Sequence, residues 1–396
     1  MSQRAIYLDN NATTQVAPEV LDEMMPYFSE LYGNPSSMHT FGGQVGAKLD
    51  EARQRVATGL GCEPGEIIFT ACGTEGDNTA IHSALAAQPD KRHIITTKVE
   101  HPAVLNVVQK LEKKGYDVTY LGVDEKGNLD LEELRASLRP DTALVSVMYA
   151  NNEVGNIFPI PEIARIVKEH GALMHTDAVQ AVGKVEIDLK TLPVDFLVLS
   201  GHKLHAPKGI GALFVRRGTP FRPFMLGGHQ ERGRRAGTEN TAGIIALGKA
   251  VELATQHIEE ENTTVKALRD SLEKGLLAAI DDARINGDPD NRLPNTTNIS
   301  FKYVEGEAIL LLMDRLHICA SSGSACTSGS LEPSHVLRAM GVPFTFAHGS
   351  IRFSLSRYTT QEDVDLVVKE MPAIITRLRE ISPFRGDDSE LPPCTC

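Results

Sequence analysis

The sequence lacks several features that would point to particular classes of protein. No apolar run approaches the ~18 residues that a membrane-spanning helix needs, which argues against a transmembrane protein. The formal net charge is −12, and a dedicated nucleic-acid binder would instead need clustered Lys and Arg. The first residues contain no apolar signal core. These absences predict a soluble, cytoplasmic protein that binds neither nucleic acid nor membrane.

The six cysteines also lack the spacing of a structural metal site. They are Cys62, Cys72, Cys319, Cys326, Cys394 and Cys396, with no CxxC pair and no zinc-type histidine spacing. Without a signal sequence, we expect all of them to be reduced thiols. For Cys394 and Cys396, near the end of the chain, metal binding or sulfur transfer is the alternative to an incidental occurrence.

The chain does have enough apolar residues for a large core. Its 396 residues are 41% hydrophobic and suit two domains at the usual ~100–200 residues each. We predict a large domain at residues 17–261 and a smaller one formed by residues 1–16 and 262–382. The polar, Pro-rich residues 383–396 are predicted to be a mobile tail.

Apolar, β-branched runs alternate with helical patterns through the first two-thirds of the chain. The predicted strands are Glu66–Thr70, His93–Thr97, Asp117–Leu121, Ala143–Met148, Ala172–Thr176 and Phe196–Ser200, and helices are predicted at Val104–Lys114, Leu131–Leu138 and Ile160–His170. This alternation predicts an α/β fold with a mostly parallel sheet, whose ligands bind at the carboxyl ends of the strands.

A different pattern follows in the last third of the chain. One helical stretch is predicted from Ala242 to about Ala279, long enough to connect two domains. Strands at Asn298–Phe301 and Ser350–Leu355 and a helix at Gln361–Glu380 then predict the smaller α+β domain.

Cys326 stands in an unusual run of small residues, Ser321 to Ser330. Two glycines and several serines make this backbone easy to bend, so the thiol is predicted to lie on a mobile loop. As a nucleophile the thiol would need a lowered pKa or a nearby base. The alternative is a Ser/Gly-rich linker with an incidental cysteine.

Lys203 and Asp177 each follow an apolar strand, so both are predicted at the carboxyl edge of the sheet. A lysine amine can form a Schiff base with an aldehyde cofactor and then carry a proton. An aspartate suits the pyridine nitrogen of pyridoxal 5'-phosphate (PLP), which it keeps protonated. The alternatives are a surface lysine and a helix N-cap aspartate.

Other polar residues follow neighbouring strands. Gly73 and Thr74 open a helical pattern, whose N-terminus suits a phosphate, although the same residues also form an ordinary helix cap. Ser200 and His202 could add donors to that phosphate. His101 could stack on a flat ring or relay protons, unless it is only a hydrogen-bonded loop residue.

Taken together, these residues resemble the cysteine desulfurases of PLP fold type I. The resemblance runs from Tyr7 to about Arg357. It is carried by the segments Tyr7–Thr14, Tyr32–Ser37, Asn151–Gly155, His175–Gln180, Ser200–Lys203, Arg234–Asn240 and the run around Cys326, whose length marks the group with a long catalytic loop. Within the family, Arg234–Asn240 and Ser328–His335 favour the NifS type, which serves nitrogenase assembly, over the housekeeping IscS type.

The resemblance implies a role for each matching residue. Lys203 would hold PLP, Asp177 would pair with its ring nitrogen, His101 would stack on the ring and Gln180 would bond its phenolic oxygen. Gly73, Thr74, Ser200 and His202 would bind the phosphate, and Thr238 would reach the phosphate of the other protomer in a homodimer. Asn152, which is also a cofactor contact, and Arg352 would hold the substrate carboxylate.

The reaction implied is the desulfuration of L-cysteine. Lys203 would remove the Cα proton, and the Cys326 thiolate would attack the substrate sulfur, giving L-alanine and a persulfide on Cys326. An iron–sulfur scaffold protein would accept the sulfur, with Cys326 as a transient iron–sulfur ligand through its persulfide. The alternatives are an IscS-type sulfur donor, a selenocysteine lyase, and a PLP-free scaffold that binds iron–sulfur clusters.

Overall fold

The computed structural model describes residues 4–322 and 333–382. Its strands are β1 Ile6–Tyr7, β2 Ile67–Thr70, β3 His93–Thr97, β4 Asp117–Leu121, β5 Thr142–Ser146, β6 Leu173–Asp177, β7 Phe196–Ser200, β8 Gly211–Val215, β9 Ala283–Asn286, β10 Thr296–Phe301, β11 Ile318–Cys319 and β12 Ser350–Ser354. Its α-helices are α1 Pro18–Met24, α2 Pro26–Ser29, α3 Thr40–Leu60, α4 Gly73–Ala86, α5 Pro102–Glu112, α6 Leu131–Ser137, α7 Ile160–His170, α8 Thr241–Gln256, α9 Ile258–Glu260, α10 Lys266–Ala279, α11 Gly306–Asp314, α12 His335–Ala339, α13 Phe344–Ala347 and α14 Gln361–Ile381.

The predicted α/β class with a mostly parallel sheet is confirmed. Seven strands form the central sheet in the order β2-β8-β7-β6-β5-β3-β4. The run from β7 to β4 is parallel, whereas β8 is antiparallel to both β7 and β2. Since β2 and β7 are both antiparallel to β8, they point the same way, and their carboxyl ends lie at the same edge of the sheet.

The sequence patterns located six strands of this sheet and missed the seventh. β3, β4 and β7 have the predicted bounds, and β2, β5 and β6 differ from theirs by one or two residues. The missed strand, β8, is a short run that begins with glycine and follows β7 after a turn. It is held by ladders on both sides, so tertiary pairing decides its conformation.

Hydrophobic cores cover both faces of the central sheet. One lies beneath α3, α7 and α8, and the other beneath α4 and α5. A separate core joins the antiparallel sheet β12-β10-β9 to α10, α11 and α14, and it includes Ile6 and Leu8 from the start of the chain. Residues of α12, by contrast, pack into the core of the large sheet. The domain boundaries stay a prediction.

The single helical stretch predicted from Ala242 to Ala279 is wrong. It is divided into α8, α9, a π-helical turn at Glu261–Val265, and α10. Near the breaks, the Asn262 side chain donates to the carbonyl of Ile258 at 2.8 Å, and that of Thr263 donates to Glu259 at 2.7 Å. Such side chains compete with the backbone ladder and favour bends.

No helix in the described part of the chain combines the length and the apolar character needed to cross a membrane.

Candidate active site

A cavity of about 370 Å³ opens at the carboxyl edge of the central sheet. It lies where β2, β3, β5, β6 and β7 end, as the sheet topology predicts for a ligand site. Its lining includes most of the predicted site residues: Gly73, Thr74, His101, Asn152, Asp177, Gln180, Ser200, His202, Lys203 and Arg352. Residues from distant parts of the sequence therefore share one cavity.

Two predicted residues are not part of this lining. Thr238 is exposed and lines a different cavity, of about 140 Å³, with Glu239 and Asn240. Cys326, the predicted nucleophile and transient iron–sulfur ligand, lies outside the described residues, as do Cys394 and Cys396.

Lys203 ends a 3₁₀ turn, Gly201–Lys203, that follows directly from β7. Its Nζ donates to the carbonyl of Ala12 at 2.8 Å and also to that of Asn11. The N-terminal segment thus lies along the cavity and positions the amine within it.

Asp177 is the last residue of β6, and it is buried. Its Oδ1 accepts the backbone N–H of Val179 at 2.9 Å. Burial raises the pKa of Asp177 to about 6, although the Val179 N–H and the Lys203 amine both act to lower it. A cation facing this carboxylate would favour its charged form. The residue is therefore suited to hold a protonated ring nitrogen.

Two histidines of the cavity are held neutral. Burial, together with the charge of Lys203, lowers the pKa of His101 and of His202 to about 4. His101 caps α5, and its Nδ1 accepts the N–H of Ala103 at 3.1 Å, which leaves the proton on Nε2. His202 Nδ1 lies 3.2 Å from the Thr13 hydroxyl. Both rings can face a cofactor without adding positive charge.

The N-terminus of α4 is open toward the cavity. Its N-cap residue, Cys72, makes no side-chain capping bond, so the first N–H groups of the helix are not capped by that residue. A Cβ on Gly73 would lie 2.9 Å from Val179 Cγ2, so only glycine fits between the helix and the segment after β6. Unpaired N–H groups at a helix N-terminus suit a phosphate.

The Arg352 guanidinium also lines the cavity, and two residues hold it in place. Its Nη1 donates to the carbonyl of Asn152 at 2.9 Å, and its Nη2 donates to Asp9 Oδ1 at 2.7 Å. The side chain is buried, and its Nε has no protein partner in the described part of the structure. A guanidinium held in this way can bind a carboxylate through two parallel hydrogen bonds.

The residues of the cavity fit PLP. Three buried polar atoms, Ser200 Oγ, Gln180 Oε1 and Arg352 Nε, have no partner among the residues described, as expected where a polar ligand completes the site. Gln180 Nε2 donates to the Asn11 carbonyl at 3.0 Å, and its second hydrogen is the donor that a phenolic oxygen needs. Amine, carboxylate, amide and helix N-terminus match the functional groups of the cofactor.

Sequence reasoning missed several residues of the site. Asp9 anchors Arg352, and the Asn11 amide donates to Thr296 at 2.9 Å, tying the N-terminal segment to β10. Asp77 lines the cavity, and Glu153, the residue after the cavity residue Asn152, is buried. The signal for Asp9 and Asn11 was present, because both lie in the Tyr7–Thr14 motif. Nothing in the local pattern marks Asp77, which lies within a helix.

Comparisons with known proteins give a consistent result. The family described as aminotransferase class-V matches residues 6–367. A cysteine desulfurase of Trichormus azollae is 65% identical over 384 residues, covering 97% of this chain and 96% of that protein. The cysteine desulfurase NifS of Azotobacter vinelandii is 61% identical over 380 residues, covering 96% and 94%. A solved NifS-like protein has a TM-score of 0.89 at 41% identity, covering 95% of this chain and 100% of its own.

Proposed function

Since the chain belongs to the class-V aminotransferase family and is a PLP-dependent cysteine desulfurase, we propose that Lys203, Asp177 and Arg352 are its central residues. The single observation that supports this is the shared cavity. It brings an amine, a carboxylate and a fixed guanidinium together at the carboxyl edge of the sheet. Bound PLP supplies an aldehyde and an electron-withdrawing ring that stabilises charge at the substrate Cα.

Lys203 would hold PLP through its amine, since its Nζ lies in the cavity and donates to the carbonyls of Asn11 and Ala12. The same Nζ would be the base that removes the Cα proton of L-cysteine. Asp177 would keep a proton on the ring nitrogen, and the neutral imidazole of His101 would hold the face of the cofactor ring. Thr74, Ser200, His202 and the N–H of Gly73 hold the phosphate, and Gln180 donates to the phenolic oxygen.

Arg352 and Asn152 orient the substrate by its carboxylate. Because Asp9 and the Asn152 carbonyl already fix the guanidinium, little side-chain entropy remains to be lost on binding.

Cys326 takes the sulfur. The substrate C–S bond breaks and an S–S bond forms on the Cys326 sulfur, so that L-cysteine and a thiol become L-alanine and a persulfide. In passing its sulfur on, the persulfide is a transient ligand to iron. The proposed acceptor is an iron–sulfur scaffold protein in the cytoplasm, and the NifS-type resemblance of Arg234–Asn240 gives nitrogenase assembly as the proposed destination.

The activity is tested by trapping the amine and by separating the two half-reactions. Borohydride reduction of the holoenzyme should attach the pyridoxyl group to the peptide that contains Lys203. Wild type should release alanine from L-cysteine and carry a persulfide. Cys326→Ala should bind PLP and L-cysteine but form no persulfide and little alanine, whereas the matched variant Cys319→Ala should react normally. A label on another lysine, or normal turnover by Cys326→Ala, would contradict the assignment.

The homodimer is the second part of the proposal. Thr238 lines no part of its own chain's main cavity, so it is free to reach the phosphate of a partner site. Close by in sequence, Phe224, Met225 and Leu226 expose apolar side chains, with Leu226 at 84% exposure. Exposed apolar clusters of this kind are typical of protein interfaces.

Mixed dimers test this arrangement. Thr238→Val homodimers should bind PLP more weakly than wild type. In a mixed dimer of Thr238→Val with Lys203→Ala, the intact Lys203 faces the intact Thr238 of its partner. That site should therefore regain wild-type PLP affinity. If the mixed dimer stays as weak as the Thr238→Val homodimer, Thr238 acts within its own chain or not at all.

A further inference from the structure

A buried acid and a buried imidazole lie next to Asp177. Asp77 belongs to α4, and His175 lies two residues before Asp177 on β6, so both β6 side chains are on the same face of the strand. Asp77 Oδ1 is 3.4 Å from His175 Nε2. Both side chains are almost fully buried, at 1% and 0% exposure, and neither of these two atoms has a hydrogen-bond partner in the described part of the chain.

The orientation of the imidazole is fixed from the other side. His175 Nδ1 lies 2.8 Å from the Ser146 hydroxyl, and the two residues are register partners of the parallel strands β5 and β6. The ring therefore presents Nε2 toward Asp77. A neutral imidazole has one donor nitrogen and one acceptor nitrogen. If one ring nitrogen carries the proton, the other must therefore accept a hydrogen bond.

The surroundings oppose a net charge on this pair. Burial lowers the pKa of His175 to about 3, so the imidazole is neutral. Burial, together with the nearby Asp177, Glu100 and Cys72, raises the pKa of Asp77 well above its ordinary value. The Lys203 amine is the cation that acts on Asp177. A charged Asp77 would thus add a second carboxylate beside Asp177 at the base of the cavity.

A single proton would give both unpartnered atoms, Asp77 Oδ1 and His175 Nε2, a hydrogen bond. If the Asp77 carboxyl is protonated, its O–H donates to His175 Nε2. The Nδ1–H of the ring then donates to Ser146 Oγ. Asp77 Oδ1 and His175 Nε2 are then both hydrogen-bonded without a buried charge, which the interior would penalise heavily.

We propose that Asp77 is held as a neutral acid hydrogen-bonded to His175, and that it is a positioning residue that leaves Asp177 as the carboxylate of the ring-nitrogen site. The inference rests on the role proposed above for Asp177. Two adjacent carboxylates would raise each other's proton affinity. An ionised Asp77 would therefore help Asp177 to take the proton from the ring nitrogen. A neutral Asp77 keeps that proton on the ring.

The experiment is infrared spectroscopy of holoenzyme containing aspartate labelled with carbon-13 at its side-chain carboxyl. At about pH 8, where an ordinary aspartate is ionised, the labelled wild type should still show the carbonyl stretch of a protonated aspartate. Asp77→Asn should lose this band, yet keep the absorbance band of the bound cofactor and its pH midpoint, because a neutral amide replaces a neutral acid. Asp177→Asn should keep the infrared band.

Each outcome has one meaning. Absence of the protonated-aspartate band in wild type overturns the proposal, and this holds even if Asp77→Asn fails to fold. A shift of the cofactor's pH midpoint in Asp77→Asn overturns it as well, since the side chain then carried a charge. If instead Asp177→Asn turns over L-cysteine normally, the proposed role of Asp177 fails, whatever the infrared band of Asp77 shows.

Discussion

At the scale of single residues, the substrate site depends on how firmly Arg352 is held. Its guanidinium donates to the Asn152 carbonyl and to the Asp9 carboxylate, so its plane is set before any substrate arrives. Lysine keeps the charge, but it is a point donor without the planar fork. Charge-assisted hydrogen bonds contribute about 1.5–3 kcal/mol each.

We therefore expect Arg352→Lys to lower kcat/KM for L-cysteine by about tenfold to a hundredfold, with PLP still bound. Asp9→Asn is the matched variant, because it keeps the guanidinium and removes only the charge that anchors it. Its effect should be smaller and mainly on KM. Steady-state kinetics with a cofactor absorbance check measure both variants. Unchanged kinetics in Arg352→Lys would mean that another residue holds the carboxylate.

The site residues that could be predicted from sequence are those at the carboxyl ends of strands. Lys203, Asp177 and Ser200 follow apolar runs whose ends must meet at one edge of a parallel sheet, so their proximity follows from topology. Asp9 and Asp77 could not be placed in this way. Asp77 reaches the cavity from inside a helix, and Asp9 reaches Arg352 across 343 positions of sequence. Such contacts depend on tertiary packing, which has no local signature.

At the scale of elements, the phosphate site depends on how closely α4 approaches β7. A Cβ on Gly76 would lie 2.8 Å from Val198 Cγ1 and 3.0 Å from Cγ2. Val198 is fully buried within the sheet and cannot move aside. The absence of a side chain at Gly76 therefore sets the position of the helix whose N-terminus faces the cavity.

Gly76→Ala should push α4 away from the sheet, cost about 1–3 kcal/mol of stability and weaken PLP binding. Gly43→Ala is the control, since a Cβ there would meet nothing within 4 Å. In the interior of α3, that change should stabilise the protein by about 0.5–1 kcal/mol and leave the PLP affinity alone. Denaturant unfolding and PLP titration measure both effects. Equal PLP affinity in the two variants would show that α4 does not need this contact.

A buried ion pair joins α3 to the segment that leads to Thr238. Arg53 donates to both carboxylate oxygens of Glu231 at 2.7 and 2.8 Å, and the backbone N–H of Phe69 donates to the same carboxylate at 3.1 Å. Glu231 has a left-handed backbone conformation with φ of 48°, which these contacts must sustain.

Glu231→Ala should destabilise the protein by about 3–5 kcal/mol, because it leaves the Arg53 charge buried and unpaired. Glu51→Ala is the contrast, since the Lys48–Glu51 pair is about half exposed on both sides, at 47% and 54%, and its loss should change unfolding very little. Chemical denaturation compares the two. Similar losses in both variants would show that the buried pair has no special structural role.

The element-scale differences between prediction and structure have physical causes. The buried strand β3 and the edge strand β4, in which only Leu121 is buried, were located to the residue because both are short parallel runs rich in β-branched residues. The break in the helix predicted from Ala242 to Ala279 was missed because the apolar periodicity continues through His257. There the backbone leaves the helical region, with ψ of 8°. Periodicity reports which face is buried, and it does not report where a side chain bonds back to the main chain.

At the scale of the whole molecule, buried acids and buried imidazoles make opposite contributions to stability as the pH changes. Burial lowers the pKa of His205 from its ordinary value of 6.5 to about 4. Between these two pH values the unfolded chain binds a proton that the folded chain does not. The free energy of unfolding therefore falls as the pH falls from about 6.5 to 4. Burial raises the pKa of Glu153 and of Glu261 to about 7. For these two acids the folded chain binds the extra proton, so their contribution is lost as the pH rises.

Glu153 allows a direct test of this balance. Its carboxyl is buried, and its Oε2 accepts the Ser334 hydroxyl at 2.5 Å, which joins the residue after Asn152 to the start of α12. Because its pKa rises from 4.5 to about 7, its stabilising contribution is complete below about pH 4.5 and is lost as the pH rises to about 7.

Glu153→Gln keeps an acceptor for Ser334 and does not titrate. The free energy of unfolding of wild type, measured by denaturation of the holoenzyme, should therefore fall relative to Glu153→Gln by on the order of 2–3 kcal/mol over this window and then level off. Parallel curves for the two proteins would mean that Glu153 is already ionised in the fold, with Arg352 rather than burial setting its charge.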